Sequence, residues 1–197
     1  AITATGVENI TGGTGNDTVT LSTATSGAAI NLGVGNDALI LANGANTLSL
    51  TGIESITGGT SADVITLGTG SSAGTIDLGS GTAVDTLSLS NTDGNFTVSG
   101  VETITGGAGA DTILLGAAVS GAVVNLGSGA DSLTGGDGAD SLIGGLGDDT
   151  LVGTQADALL DGGASTDVLQ VGSSFAAATD GQLVNIEGIT LTAAALS

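Results

Sequence analysis

The chain has 197 residues, of which 37 are Gly and 20 are acidic; it contains no Lys, Arg, His, Cys, Met, Pro, Trp or Tyr, and its formal net charge is −20. Without a basic side chain it lacks the contacts that phosphate backbones and anionic lipids require, and it lacks the usual catalytic bases and nucleophiles. That argues against nucleic-acid binding, direct membrane insertion, a small-molecule substrate and enzyme activity.

The same inventory leaves no side-chain cation to pair with a carboxylate, so each ionised Asp or Glu must face water, accept backbone N–H groups or hold a metal. A hydrophobic fraction of 40% still provides a core for one sizeable domain. No apolar run approaches the roughly 18 residues that span a bilayer, and "AITATGVENI" has no signal-peptide pattern. With no Met, the chain reads as an internal or processed piece of something longer.

In chain order, two phrases recur at different scales. "GVENITGG" at 6–13 returns as "GIESITGG" at 52–59 and "GVETITGG" at 100–107, with a decayed "NIEGIT" at 185–190. Glu8, Glu54, Glu102 and Glu187 all lie in it; an exposed strand position, an auxiliary metal ligand and a hydrogen bond between coils are open readings for them.

The second phrase is a Gly-rich acidic nonapeptide. It runs as "GGTGNDTVT" (12–20), "LGVGNDALI" (32–40), "GGTSADVIT" (58–66), a lengthened "LGSGTAVDTLS" (78–88), "GGAGADTIL" (106–114) and "LGSGADSLT" (126–134). It continues as "GGDGADSLI" (135–143), "GGLGDDTLV" (144–152) and "GGASTDVLQ" (162–170).

This nonapeptide resembles G-G-x-G-x-D-x-U-x, the hemolysin-type calcium-binding repeat of RTX proteins, over most of the chain. The resemblance implies an all-β fold, a right-handed parallel β-roll or β-helix solenoid with about two short strands per coil. It would cover residues 1–171, with a degenerate coil, cap or junction at 172–197.

The residues support that shape. Six Gly-rich residues turn through positive φ without a Cβ penalty, and the next three form a short strand. One nonapeptide then makes a half-turn, and two make a coil of about 18 residues. Val19, Leu39, Ile65, Leu87, Ile113, Leu133, Leu142, Leu151 and Leu169 become the inward ladder.

Loops on one edge recur once per coil. Asp17 and Asp37, Asp63 and Asp85, Asp111 and Asp131, Asp131 and Asp149, and Asp149 and Asp167 are therefore expected to be neighbours at roughly 4.8 Å. Such a column repels itself unless a hard cation lies between the loops. Calcium, with about 6 to 8 oxygen ligands and tolerant geometry, suits it better than magnesium, and there is no soft ligand for zinc or copper.

In RTX repeats the Asp side chain and loop carbonyls of one turn share each ion with the loop above. Carried onto this chain, that implies several Ca2+ ions and assigns Gly12, Thr14 and Asp17, Gly106, Ala108 and Asp111, Gly135, Asp137 and Asp140, and Gly144, Leu146 and Asp149. The looser loops contribute Asp37, Asp63, Asp85, Asp131 and Asp167. Ser61 in place of Gly, and the extra residues among Thr82, Ala83 and Val84, disturb the carbonyl pattern. Asp77, Asp93, Asp157, Asp161 and Asp180 lie outside clean motifs and are read as solvent-exposed.

Three functions fit such a module. The first is a calcium-binding structural part of a secreted bacterial surface assembly, a surface layer or filament, that associates with itself or with other subunits. The second is a stalk or C-terminal folding module of a larger type I secreted adhesin, toxin or hydrolase. Ice binding fits less well, because the fifth repeat position is irregular (Asn16, Asn36, Ala62, Ala110, Ala130, Ala139, Asp148, Thr166). An extracellular or cell-surface location follows from the near-millimolar calcium that weak sites need.

Overall fold

The structure is a computed structural model that describes residues 1–116, 121–154, 156–171 and 181–192. Phe175, Asp180 and the tail segments 172–180 and 193–197 lie outside the described residues.

Strands form where small polar and branched apolar residues alternate, because a pleated strand sends successive side chains to opposite faces. In Thr18–Leu21 (TVTL) and Thr47–Thr51 (TLSLT) the inward members Val19, Leu21, Leu48 and Leu50 are buried, while their neighbours face outward.

The strands fall into two sheets. The first contains Ile2–Ala4, Thr18–Leu21, Ala38–Ile40, Ser55–Gly59, Ala73–Gly79, Asn95–Ser99, Thr112–Leu115, Ser132–Thr134, Thr150–Val152, Val168–Val171 and Gly188–Leu191. The second contains Asn9–Thr14, Ser26–Val34, Thr47–Thr51, Val64–Leu67, Thr86–Ser88, Thr103–Gly107, Val123–Ser128, Ser141–Leu146, Leu159–Ala164 and Leu183–Val184. The chain visits the sheets alternately, and strands adjacent within a sheet pair in parallel, one coil apart. This is an all-β parallel solenoid with two strands per coil, and the described residues contain no helix.

Register stacks like on like: Val19 lies opposite Leu39, Leu133 opposite Leu151, and Leu151 opposite Leu169. All nine ladder residues expected from the repeat are buried between the sheets. Each such Leu, Ile or Val contributes about 1.5–3 kcal/mol by leaving water. The two short turns built on the Glu phrase add Ile53 and Val101 to the same core.

The Gly-rich half of the phrase is not all turn, contrary to the expectation from sequence. In Asn9–Thr14, Thr103–Gly107 and Ser141–Leu146 the strand runs on through the first Gly positions. There the glycines stack across coils, Gly127 between Gly107 and Gly145, and Gly145 beside Gly163. Gly145 has φ 124°, and a Cβ on it would collide with the carbonyl oxygen of Gly127. The sheet can bend into its corner while still pairing because no side chain intervenes.

Charge is sorted by this geometry. The outward column of the second sheet from Asn9 through Ala29, Ser49, Thr66, Ser88 and Thr105 to Asn125 carries no charged residue. Most of the carboxylates stand on the two loop edges that join the sheets.

Candidate metal centre

One edge consists of the loops leading into first-sheet strands, the other of the loops leading into second-sheet strands. Where the nonapeptides are contiguous, from 126 to 152, they alternate between the edges, so Asp140 and Asp149, nine positions apart, stand on opposite edges.

On the first edge the buried Asp residues form a ladder. The Asp17 N–H donates to Asp37 Oδ1 at 2.7 Å, and the Asp111 N–H to Asp131 Oδ1 at 2.7 Å. The Asp131 N–H donates to Asp149 Oδ1, and that of Asp149 to Asp167 Oδ1, both at 2.8 Å. On the second edge the Asp63 N–H donates to Asp85 Oδ1 at 2.6 Å. Each neighbour pair expected from the coil spacing is joined by one of these bonds.

The Glu phrase has a role that the sequence left open. Glu54 Oε2 accepts the Asp37 N–H, Glu102 Oε2 that of Asp85, and Glu187 Oε2 that of Asp167, each at 2.8 Å. These Glu residues take the ladder position in coils whose turn at that edge carries no aspartate, where the longer side chain spans the gap. The hydrogen bond between coils is thus observed for Glu54, Glu102 and Glu187, the last of which is also exposed, and it ends a run of aspartates each time. Glu8 is exposed.

Seven aspartates have one oxygen satisfied by a backbone N–H of the preceding coil and the other not. The Oδ2 atoms of Asp37, Asp63, Asp111, Asp131, Asp140, Asp149 and Asp167 are buried without a hydrogen-bond partner. A buried acceptor without a donor costs about 1–3 kcal/mol, and more when charged. Burial pushes Asp111, Asp131 and Asp149 up to about 6, against the lowering effect of the N–H groups they accept. Asp85 and Asp157 are raised for the same reason.

These oxygens call for a positive partner, and no side chain of the protein carries a positive charge. A hard divalent cation bound by carboxylate and carbonyl oxygens meets that need, so the residues fit calcium. Among the described residues no three carboxylates converge, which leaves the rest of any such shell to backbone oxygens.

The other assigned positions, apart from the Asp137 carboxylate and the Thr14 hydroxyl, could serve only through those backbone oxygens. Gly12 and Thr14 end one strand, Gly106 lies within another, and Gly144 and Leu146 close a third, while Ala108, Gly135 and Asp137 lie in the loops. The side chains of Thr14, Ala108, Asp137 and Leu146 are exposed. The Leu146 carbonyl accepts the Gly129 N–H at 2.8 Å and keeps a second lone pair.

Two members of the second edge escaped the reading from sequence. Asp157, expected in solvent, is buried; its Oδ1 accepts the Asp140 N–H at 3.3 Å and its Oδ2 that of Thr154 at 2.6 Å. The signal was present, since "VGTQADALL" at 152–160 is the nonapeptide with Gln155 in place of its third Gly. Asn46 is the other, in "LANGANTLS" at 41–49, where the amide stands for the aspartate. Asp161 is half-buried and accepts the Asn185 side-chain amide at 2.8 Å, while Asp77 and Asp93 are exposed as expected.

The family model for the RTX calcium-binding nonapeptide repeat (4 copies) matches residues 2–22, 50–71, 96–118, 125–157 and 147–174. No curated protein and no solved structure matches the chain. The matched segments carry both aspartate edges and cover more than half of the residues, and the chain belongs to the RTX calcium-binding nonapeptide repeat family.

Proposed function

We propose that this calcium-binding repeat module is a structural part of a secreted bacterial surface assembly, a surface layer or an extracellular filament, in which external calcium controls both folding and association. The observation that carries the reading is the series of buried, unpartnered Oδ2 atoms along both edges. It makes the folded state conditional on a cation that is abundant outside cells and scarce within them. The outward column that is uncharged from Asn9 to Asn125, before it reaches Asp161, supports the second half of the reading, because it offers neighbouring copies a strip with less of the repulsion that a net charge of −20 imposes elsewhere.

Light scattering and negative-stain imaging at millimolar calcium, with native flanking sequence present, test it. Ordered sheets or filaments that dissolve in chelator are expected. A folded rod that stays monomeric over a wide concentration range would overturn the assembly reading in favour of a passive stalk in a larger type I secreted protein.

A further inference from the structure

We infer that one junction of the second edge, between the loop at 42–46 and the loop at 60–63, is closed by the protein's own donors and takes no cation. This rests on the calcium reading of the other loops.

Asn46 is fully buried at the sixth position of its phrase, where the other loops carry aspartate. Its Oδ1 accepts the Thr25 N–H at 3.0 Å, which fixes the orientation of the amide. Its Nδ2 then faces three oxygens: Ala42 O at 3.0 Å, Gly44 O at 2.7 Å and Asp63 Oδ1 at 2.9 Å. Two N–H groups shared among three acceptors supply, in one neutral group, the positive pole that the aspartate loops lack.

The carbonyl between those two is also engaged. Ser61 Oγ donates to Asn43 O at 2.7 Å. Ser61 stands where most copies of the phrase have Gly, so the two departures from the repeat, Asn for Asp and Ser for Gly, meet across one junction and satisfy consecutive carbonyls 42, 43 and 44. What looks like decay in the separate phrases is complementary in the structure. Asp63 meets this junction through Oδ1, which accepts both the Asn46 N–H at 2.8 Å and Nδ2, and its Oδ2 has no partner.

An amide cannot leave when calcium does. This junction is therefore a permanent clasp within a chain whose other aspartate loops depend on the medium.

Calcium stoichiometry, measured by calorimetric titration and by metal analysis of the saturated protein, tests the inference on three chains. Asn46→Asp combined with Ser61→Gly restores the repeat and should bind one more calcium than the wild type. Asn46→Ala removes the clasp and should bind the same number as the wild type while melting at a lower temperature in calcium. A restored double variant that gains no ion, or an Asn46→Ala chain that loses one, overturns the inference. If the double variant does not fold, the Asn46→Ala count decides. A wild type that binds no calcium overturns instead the reading on which this one rests.

Discussion

The loops ending in Asp131, Asp149 and Asp167 and the loop ending in Asn46 make the same turn by opposite chemistry. In the first group a buried carboxylate accepts one N–H from the coil before it and leaves its second oxygen bare. In the second an amide accepts in the same way and turns donors onto the carbonyls of its own loop. The difference teaches that the turn needs positive charge density at that point rather than calcium as such. A carboxylate leaves that requirement to the surroundings, and an amide meets it internally.

The largest expected effect breaks the two regions apart. In chelator most of the β signal in circular dichroism should be lost, because binding of the ion is coupled to folding of its loops. Hydrogen exchange under the same conditions should leave the amides of Thr25 and Asn46 better protected than those of Asp131 and Asp149. An unchanged β spectrum after complete removal of calcium would contradict the contrast at its root.

Next comes Asp149→Ala against Asp93→Ala. Asp149 sits between the loops of Asp131 and Asp167, so its loss disturbs two junctions. At calcium about 100-fold above Kd a single site is worth about 2.7 kcal/mol, and the variant should lose roughly that or more, together with bound calcium. Asp93 is exposed and accepts only the Ala110 N–H, so its replacement should stay within about 0.5 kcal/mol. Equal calcium binding by the two variants would count against the ladder.

A third effect comes from acid. The folded values of about 6 for Asp111, Asp131 and Asp149 exceed the roughly 3.9 of an unfolded chain. Without calcium the folded state therefore binds protons more tightly. The stability these groups lend is complete below about pH 4 and is lost as pH rises through about 6. In chelator, lowering the pH from 7 to 5 should restore part of the β signal lost at pH 7, with no contribution from Asn46; a further loss on acidification would refute the assignment of buried, unpaired carboxylates.

The smallest effect concerns Ser165, which occupies the third Gly position of its phrase with φ 109°. A side chain at such an angle is strained, and Ser165→Gly should stabilise the calcium-bound protein by about 1 kcal/mol in denaturant melts. Destabilisation would mean that the Ser side chain makes a contact outweighing the strain.

The strict part of the repeat made much of this legible beforehand. A nine-residue period with an apolar residue two places after the aspartate places Val19 and Leu151 in the core and sets Asp131 beside Asp149, because a strand has only two faces and a coil returns to the same edge. What escaped was carried by substitutions that break the consensus while keeping its geometry. Asn46 and Asp157 sit in phrases that had lost a Gly or the aspartate itself, and only the register shows them in the ladder. The Glu residues were ambiguous because their reach into the neighbouring coil depends on how short their own turn is. The extension of strands into the Gly positions escaped because propensity disfavours Gly in a strand, whereas stacking without side chains favours it here.

The buried rungs of both edges share a direction. From Thr25 to Asn46, from Asp63 to Asp85, and from Asp111 through Asp131 and Asp149 to Asp167, the earlier coil gives the N–H and the later coil holds the acceptor. The main-chain bonds beside them run the other way, from the Thr150 N–H to the Asp131 carbonyl and from the Val168 N–H to the Asp149 carbonyl. Each junction is thus stitched in both directions, so neither coil can leave without orphaning a donor or an acceptor on its neighbour.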